Sequence, residues 1–226
     1  MATHQINSEQ QIYLKIAEFL RVGKKFALAV VMKDAGSTPR KAGTKAIIDE
    51  EGSIWGTIGG GLLESEARKM ALEAMKTGKP NVFDFKFAGT SATEDKPVCG
   101  GNMRILIDPV NRLFKGAYFA VAEALADRRR GVLVRRALAD DNGAAVGVMV
   151  DFYRGDFPLD DNPQLCAMRN AFSIEEAQHF ILEDSRIEGL AEPIIPSPRL
   201  LISGGGHVGQ ALARALPFSA WWKESC

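Results

Sequence analysis

A glycine-rich turn near the end of the printed sequence is the feature that most constrains the fold. The run 199–203 is apolar and typical of a strand, and Gly204, Gly206 and Gly209 follow it with the spacing G-x-G-x-x-G. Residues 210–216 then have the composition of a helix. This order is that of the first strand, turn and helix of a dinucleotide-binding domain. Because a parallel strand needs a neighbour and the sequence ends at Cys226, we expect a truncated Rossmann-like unit that does not hold NAD(P) by itself.

Composition describes an ordinary globular protein. Hydrophobic residues make up 46% and charged residues 25% of the chain, and 28 cations balance 28 anions, so we expect no nucleic-acid partner. No apolar run reaches the ~18 residues of a membrane helix, and the first residues lack the features of a signal peptide. Cys99, Cys166 and Cys226 have no metal-ligand spacing. We therefore expect a cytoplasmic protein without a membrane span, a structural disulfide or a direct metal site.

The hydrophobic pattern predicts an α/β fold, with a mixed α+β domain at residues 1–196 followed by the truncated βα unit at 197–226. A continuous apolar run at 26–32 predicts a buried strand, and two hairpins are expected around the turns at 50–52 and 140–143. Helices are expected at 62–77 and 115–129. Ser173 and Glu176 form a capping-box pattern that predicts a further helix to about Asp184.

The first loop with candidate binding residues lies at 36–43. Gly36, Ser37, Thr38 and Arg40 combine a glycine that allows close approach of a ligand, two hydroxyls and a cation suited to a phosphate. The alternative is a plain turn between strands with solvated cations, and composition alone does not separate the two.

The second loop places Thr57, Gly59, Gly60, Gly61 and Glu64 between a strand and a helix. A helix start offers free N–H groups and a partial positive charge, which favour an anion. Glycines also leave room for a flat ligand. The alternative is that they relieve a sharp turn, with Glu64 in the first helical turn, where acidic residues are favoured.

The third loop contains Cys99, Gly100 and Gly101 ahead of a predicted strand. A thiol beside two glycines would be accessible to a soft metal or to a sulfur-transfer step. Taken by itself, however, a free cysteine is more often a small buried hydrophobe.

In combination and in this order, the motifs G-S-T-P-R, G-T-I-G-G-G-x-L-E and C-G-G resemble those of the maturation factor family of xanthine dehydrogenase and carbon monoxide dehydrogenase (XdhC/CoxI). The resemblance extends to a second domain that opens with a glycine turn. It implies an accessory protein, not itself an enzyme, that binds the pyranopterin molybdenum cofactor, shields it and delivers it to a molybdenum hydroxylase. It further implies a cysteine desulfurase or sulfurtransferase as partner, and a homodimer.

On this resemblance, the three loops are expected to form one cofactor site. Arg40 or the glycine helix start would take the phosphate, the hydroxyls and amides would take the pterin, and Cys99 would face the metal or its sulfur. Glu64 would either contact the ligand or pair with Arg40 or Arg68. Two alternatives stay open: an NAD(P)-dependent oxidoreductase that uses the turn at 204–209, and an interaction scaffold without a ligand.

Overall fold

Ten strands and five α-helices follow one another along the described part of the chain. The computed structural model describes residues 3–4, 9–87, 100–110, 112–155, 157–158, 160–198 and 201–215. It divides into two compact units, residues 1–196 and residues 197–226. All ten described strands and the first four helices belong to the first unit, which also contains the candidate loops.

The larger sheet of the first unit has six strands. Their ranges are β1 (Thr3–His4), β2 (Phe26–Ala35), β3 (Lys45–Asp49), β4 (Ile54–Gly56), β5 (Asn81–Lys86) and β6 (Asn102–Asp108). Across the sheet the order is β1-β4-β3-β2-β6-β5. All neighbours are antiparallel except β1 and β4, which are parallel. The loops after β2 and before β6 leave the same end of the sheet, because Ala35 pairs with Asn102.

The smaller sheet has four antiparallel strands. They are β7 (Gly131–Ala139), β8 (Ala145–Tyr153), β9 (Gln178–Leu182) and β10 (Ile187–Ile194), in the order β8-β7-β10-β9. The turn between β7 and β8 is built on Asp140, whose Oδ1 accepts from the amides of Asn142 and Ala144 at 2.9 Å. The predicted second hairpin is therefore present.

Helices cover the sheets in layers. They are α1 (Glu9–Val22), α2 (Gly61–Thr77), α3 (Lys115–Ala126), α4 (Pro163–Ile174) and, in the second unit, α5 (His207–Ala215). The helix α2 packs on the outer face of the larger sheet, α1 and α3 share a core with both sheets, and α4 covers the outer face of the smaller sheet. No described helix is long and apolar enough to cross a membrane.

The strand β2 is the centre of this arrangement. Its alternate residues Leu28, Val30 and Met32 join the core between the sheets, while Ala27, Ala29 and Val31 face α2, and all six are fully buried. A strand buried on both faces gives a continuous apolar run, which is the pattern that the sequence has at 26–32.

The helix predicted from Ser173 to Asp184 is wrong. The helix in this region begins earlier, because Asn162 caps it by accepting from the Gln164 amide at 2.9 Å and Pro163 occupies the first turn. It ends at Ile174, and residues 178–182 form a strand paired with β10. Strand pairing overrode the local capping pattern: the Phe180 ring packs where Gly189 has no side chain.

The second unit contains α5, which begins at His207, three residues before the predicted start. The described part of the predicted strand, residues 201–203, is not in a strand. A strand requires a hydrogen-bonded neighbour, and the described residues of this unit provide none.

Candidate functional site

The loop after β2 is held by one carboxylate that the sequence analysis did not select. Asp34 accepts from the Ala42 amide through Oδ1 and from Lys41 Nζ through Oδ2, both at 2.9 Å. The Thr38 hydroxyl lies 3.5 Å from Asp34 Oδ2 and 3.0 Å from the Arg40 carbonyl oxygen, so the carbonyl is the better acceptor. Partial burial opposes ionisation of Asp34, but the bonds from Lys41 and Ala42 hold its pKa below the usual range.

This loop lies directly against the segment before β6. A Cβ atom built on Gly101 would stand 2.1 Å from the Ser37 carbonyl oxygen and 2.6 Å from Thr38 Cγ2. In the other direction, a Cβ on Gly36 would stand 3.4 Å from Gly101 Cα and 3.5 Å from the Gly100 carbonyl oxygen. Only a residue without a side chain fits at Gly101, so the glycine permits the close contact of the first and third loops.

The glycine turn before α2 touches the same loop. A Cβ on Gly59 would stand 2.9 Å from Pro39 Cγ, which places the second loop beside the first. The structure thus brings all three segments to one end of the larger sheet, for those parts that are described. Cys99 lies outside the described residues, and its position is not part of this geometry.

Backbone conformation accounts for the three consecutive glycines. Gly59, Gly60 and Gly61 have φ values of 138°, 79° and 57°, all in the region that disfavours side chains. These conformations agree with the alternative that the glycines relieve a sharp turn. A Cβ on Gly60 or Gly61 would nevertheless meet no atom within 4 Å, so the space in front of these two residues is open.

Glu64 reaches back into the glycine turn. Its Oε1 accepts from the Thr57 hydroxyl at 2.6 Å, from the Gly60 amide at 3.1 Å and from the Ile58 amide at 3.3 Å. The Gly59 amide in turn donates to Thr57 Oγ1 at 3.2 Å. The turn is thereby held by its own carboxylate, and three of its amides already have acceptors.

Arg40 keeps its charge available. Its side chain is exposed, and none of the described residues gives its guanidinium a hydrogen bond or ion pair, whereas Lys41 is bound to Asp34. The ion pairs that the sequence suggested between Glu64 and either Arg40 or Arg68 are not formed among the described residues, because the Glu64 carboxylate is turned to Thr57 and the turn amides.

A cleft with several acidic residues borders the end of the first loop. It has a volume of about 570 Å³ and is bordered by Lys41, Gly43 and Ala177, with five carboxylates around it. These are Glu9, Asp34, Glu175, Glu176 and Glu192. Three of these carboxylates are compensated, since Asp34 pairs with Lys41, Glu175 with Arg130 and Glu192 with Lys45.

Lys45, which follows the first loop, belongs to a network of four buried charges that the sequence analysis missed. Lys45 Nζ lies 2.8 Å from Glu192 Oε2, which also accepts from the Tyr13 hydroxyl at 3.1 Å. Arg135 binds Asp108 Oδ2 at 2.8 Å through Nη1 and lies 3.5 Å from Glu192 Oε1 through Nε. All four charged side chains are at most 4% exposed.

This network links the larger sheet, through Lys45 and Asp108, to the smaller sheet, through Arg135 and Glu192. Burial opposes ionisation of Glu192, yet the charges of Lys45 and Arg135 hold its pKa below the usual range. Burial likewise opposes the Lys45 charge, and Glu192 outweighs it and raises the lysine pKa. Charged residues inside apolar strands were a visible signal, but Tyr13 and Glu192 are 179 positions apart, so the pairing was not readable.

The turn at Gly204, Gly206 and Gly209 lies in the second unit. A Cβ on Gly209 would stand 2.6 Å from the Gly204 carbonyl oxygen, so the helix approaches the turn closely, as in dinucleotide-binding turns. A groove of about 580 Å³ runs along it and includes the exposed side chains of Leu201 and Val208. Among the described residues of the chain, no group of three or more His, Cys, Asp or Glu could hold a metal ion.

Comparison with known proteins gives matches to a protein family, a curated protein and solved structures. Residues 19–86, which contain the first two loops, match the XdhC and CoxI family. Over 96 residues the chain is 33% identical to the uncharacterized protein YqeB of Escherichia coli (strain K12), a match that covers 42% of this chain and 18% of that protein. A crystal structure described as a xanthine dehydrogenase from Bacillus halodurans matches with a TM-score of 0.56.

That structure is 16% identical in sequence, and the match covers 82% of this chain and 53% of the other. At this identity the likeness concerns the fold alone. The chain thus spans about half of the structure that it resembles, and its match spans less than a fifth of the E. coli relative. The segment 19–86 is therefore similar to the XdhC and CoxI family, and the fold of the chain is similar to that of the Bacillus halodurans structure.

Proposed function

We propose that this protein is an accessory factor that binds the pyranopterin molybdenum cofactor as cargo and delivers it to a molybdenum hydroxylase of the xanthine dehydrogenase type. The observation that carries the proposal is the contact of the loop at 36–40 with both Gly59 and Gly101. The similarity of residues 19–86 to the XdhC and CoxI family supports an accessory role in the maturation of such enzymes.

The described residues suit different parts of this cargo. Arg40 is exposed and has no described partner, so it is available for the terminal phosphate. The open space before Gly60 and Gly61 suits a flat pterin, and the exposed Ser37 offers a hydroxyl on the first loop. The bound cargo would supply the metal and its exchangeable sulfur, while this chain binds, orients and shields it.

The glycine turn itself does not suit the phosphate. The amides of Ile58 and Gly60 donate to Glu64, and the carboxylate would repel a second anion. Arg40 therefore becomes the phosphate contact in this proposal, in place of the helix start that the sequence suggested. A sulfur-donating partner, a homodimer and a sulfur contact by Cys99 stay predictions from the resemblance.

The direct test measures the molybdenum and the pterin bound to the protein after expression with molybdate and purification without oxygen. We expect molybdenum and pterin at about one each per chain, measured by elemental analysis and by the fluorescence of the oxidised pterin. Arg40→Ala is expected to lose most of both. Lys79→Ala is the matched control, because Lys79 is an exposed cation just past the opposite end of α2.

Each outcome of this test separates the proposal from its alternatives. Bound pterin that is retained in Lys79→Ala and lost in Arg40→Ala supports the cofactor-binding role. Bound NAD(P)H in place of pterin would contradict it and favour an oxidoreductase that uses the turn at 204–209. Protein that carries neither ligand would contradict it and favour an interaction scaffold.

A further inference from the structure

Arg104 joins the two sheets close to the candidate loops. It lies on β6, three residues after Gly101, and its Nη1 donates to Oδ2 of Asp84, its neighbour on β5, at 2.8 Å. Its Nε donates to both carboxylate oxygens of Glu188 on β10, each at 2.8 Å. On the far side of this carboxylate, His179 Nε2 lies 2.9 Å from Glu188 Oε1. The same guanidinium therefore binds a partner within its own sheet and a partner in the smaller sheet.

The bond from Arg104 to Glu188 is the more firmly held of the two. The Glu188 side chain is 18% exposed, whereas that of Asp84 is 45% exposed and its ion pair is more strongly screened by water. Burial opposes ionisation of Glu188, but the bonds from His179 and Arg104 hold its pKa below the usual range. Glu188 is therefore a charged acceptor at neutral pH, and bonds to charged acceptors are the stronger ones.

Arg104 also lies where a shift of β6 would reach the first loop. Met103 and Ile105 pack with α2, so Arg104, between them, faces the smaller sheet. The strand begins two residues before Arg104, and Gly101 comes directly before it. A Cβ built on Gly101 would stand 2.1 Å from the Ser37 carbonyl oxygen, so the position of the strand start fixes the contact between the two loops.

We propose that Arg104 is a positioning residue for the candidate site. Its bond to Glu188, the Arg104–Glu188 clamp, ties the start of β6 to the smaller sheet and so keeps Gly101 against the loop at 36–40. The bond to Asp84 has no such role, because β5 and β6 belong to one sheet and move together. For cofactor retention the inference rests on the proposed function, which makes these loops the cofactor site.

A double-mutant cycle on the full chain tests this role. Three residues of extended chain separate Gly101 from Arg104 by about 10 Å, a distance at which effects on stability normally add. Loss of the clamp would let the two loops move apart and relieve an added methyl group. In the Glu188→Gln background we therefore expect Gly101→Ala to lower the free energy of unfolding, measured in urea, by about half as much as in the wild-type protein. In the matched Asp84→Asn background we expect the full loss.

Cofactor content is the second readout. We expect Glu188→Gln to retain at least about fivefold less pterin than the wild-type protein, and Asp84→Asn to retain as much. Val132→Ala controls for a general loss of stability, because Val132 is fully buried on the outer face of the smaller sheet. This variant should be less stable than the wild-type protein and keep its cofactor content.

Each result supports or overturns the inference. Additive effects of Glu188→Gln and Gly101→Ala overturn it, and so does an equal reduction in the Asp84→Asn background. If Glu188→Gln does not fold, Arg104→Gln takes its place with the same expectations. Wild-type protein that carries no cofactor contradicts the proposed function, and the urea cycle then decides the inference alone. Bound cofactor with additive effects in the cycle overturns the inference and leaves the proposed function in place.

Discussion

The contact between Gly101 and the loop at 36–40 gives the sharpest prediction. Gly101→Ala would place a methyl group 2.1 Å from the Ser37 carbonyl oxygen, 2.6 Å from the Ser37 carbonyl carbon and 2.6 Å from Thr38 Cγ2. Real contacts of this kind are rarely shorter than 3.0 Å. The two segments must therefore move apart by about 0.9 Å or more, and backbone atoms account for the closest contacts.

The expected cost follows from this displacement. Overpacking by a single methyl group costs about 1–3 kcal/mol, and the upper half of that range applies because the Ser37 backbone is fixed by the β2–β6 pairing next to it. We expect the free energy of unfolding to fall by about 2–3 kcal/mol, and the melting temperature by about 4–12 °C for a chain of this length. The same shift would displace Ser37 and Thr38, so cofactor content should fall at least about tenfold.

Urea unfolding followed by circular dichroism measures the first quantity, and elemental analysis of the purified protein measures the second. Gly116→Ala is the matched control. Gly116 lies in α3, a built Cβ there meets no atom within 4 Å, and alanine should be neutral or stabilising by up to about 1 kcal/mol. The reasoning fails if Gly101→Ala is as stable as the wild-type protein, because the two loops could not then be in contact.

Three further predictions concern the charges around the site. Lys45→Met should lower the free energy of unfolding by about 3–5 kcal/mol in urea titrations, since it leaves Glu192 buried with less compensation; a loss below about 1 kcal/mol would refute the network. The pKa of Glu192 is lower in the folded protein than the ~4.3 of an unfolded glutamate, so its ionised form stabilises the fold. The free energy of unfolding should therefore hold from pH 7 to about 5 and fall as the pH drops through the folded pKa. Urea midpoints that stay constant down to about pH 3 would contradict this role of Glu192. Asp34→Asn should speed tryptic cleavage after Arg40 by about fivefold, because the hydrogen bonds of Asp34 that hold the loop lose about 1 kcal/mol. The control Asp84→Asn should leave the cleavage rate unchanged. Equal cleavage rates in Asp34→Asn and the wild-type protein would refute the role of Asp34 as the loop's anchor.

Periodicity was sufficient where burial alone decides the structure. The strand at 26–32 and the helix at 62–77 were predicted because each segment meets the core along its whole length, and α2 begins at Gly61 and ends at Thr77. The segment at 173–184 failed because its polar pattern satisfied a local capping rule, while the real determinant was pairing with β10, the next strand, which itself pairs with the distant β7. Local rules do not carry that information.

The candidate site likewise contains residues that the sequence could predict and residues that it could not. The glycines and Arg40 could be selected from the sequence because glycine allows the close approach of a ligand and arginine suits a phosphate. The role of Glu64 could not be, since it depends on three positive φ values that turn the amides of Ile58 and Gly60 toward one oxygen. Asp34 gave no signal, because a single acid at a strand end is common and its partners follow in the loop.

The pairing of Lys45 with Glu192 also sets an order of events during synthesis. Lys45 follows the first loop directly, and its ammonium group enters the interior only when a carboxylate from β10 is there to meet it. The chain must therefore be synthesised at least to residue 192 before Lys45, which follows the loop at 36–43, reaches its buried partner. A nascent chain that ends before residue 192 carries all the described loop residues, yet it has no finished site to offer. We therefore expect a ligand to be loaded at this loop only after the last strand of the smaller sheet has paired.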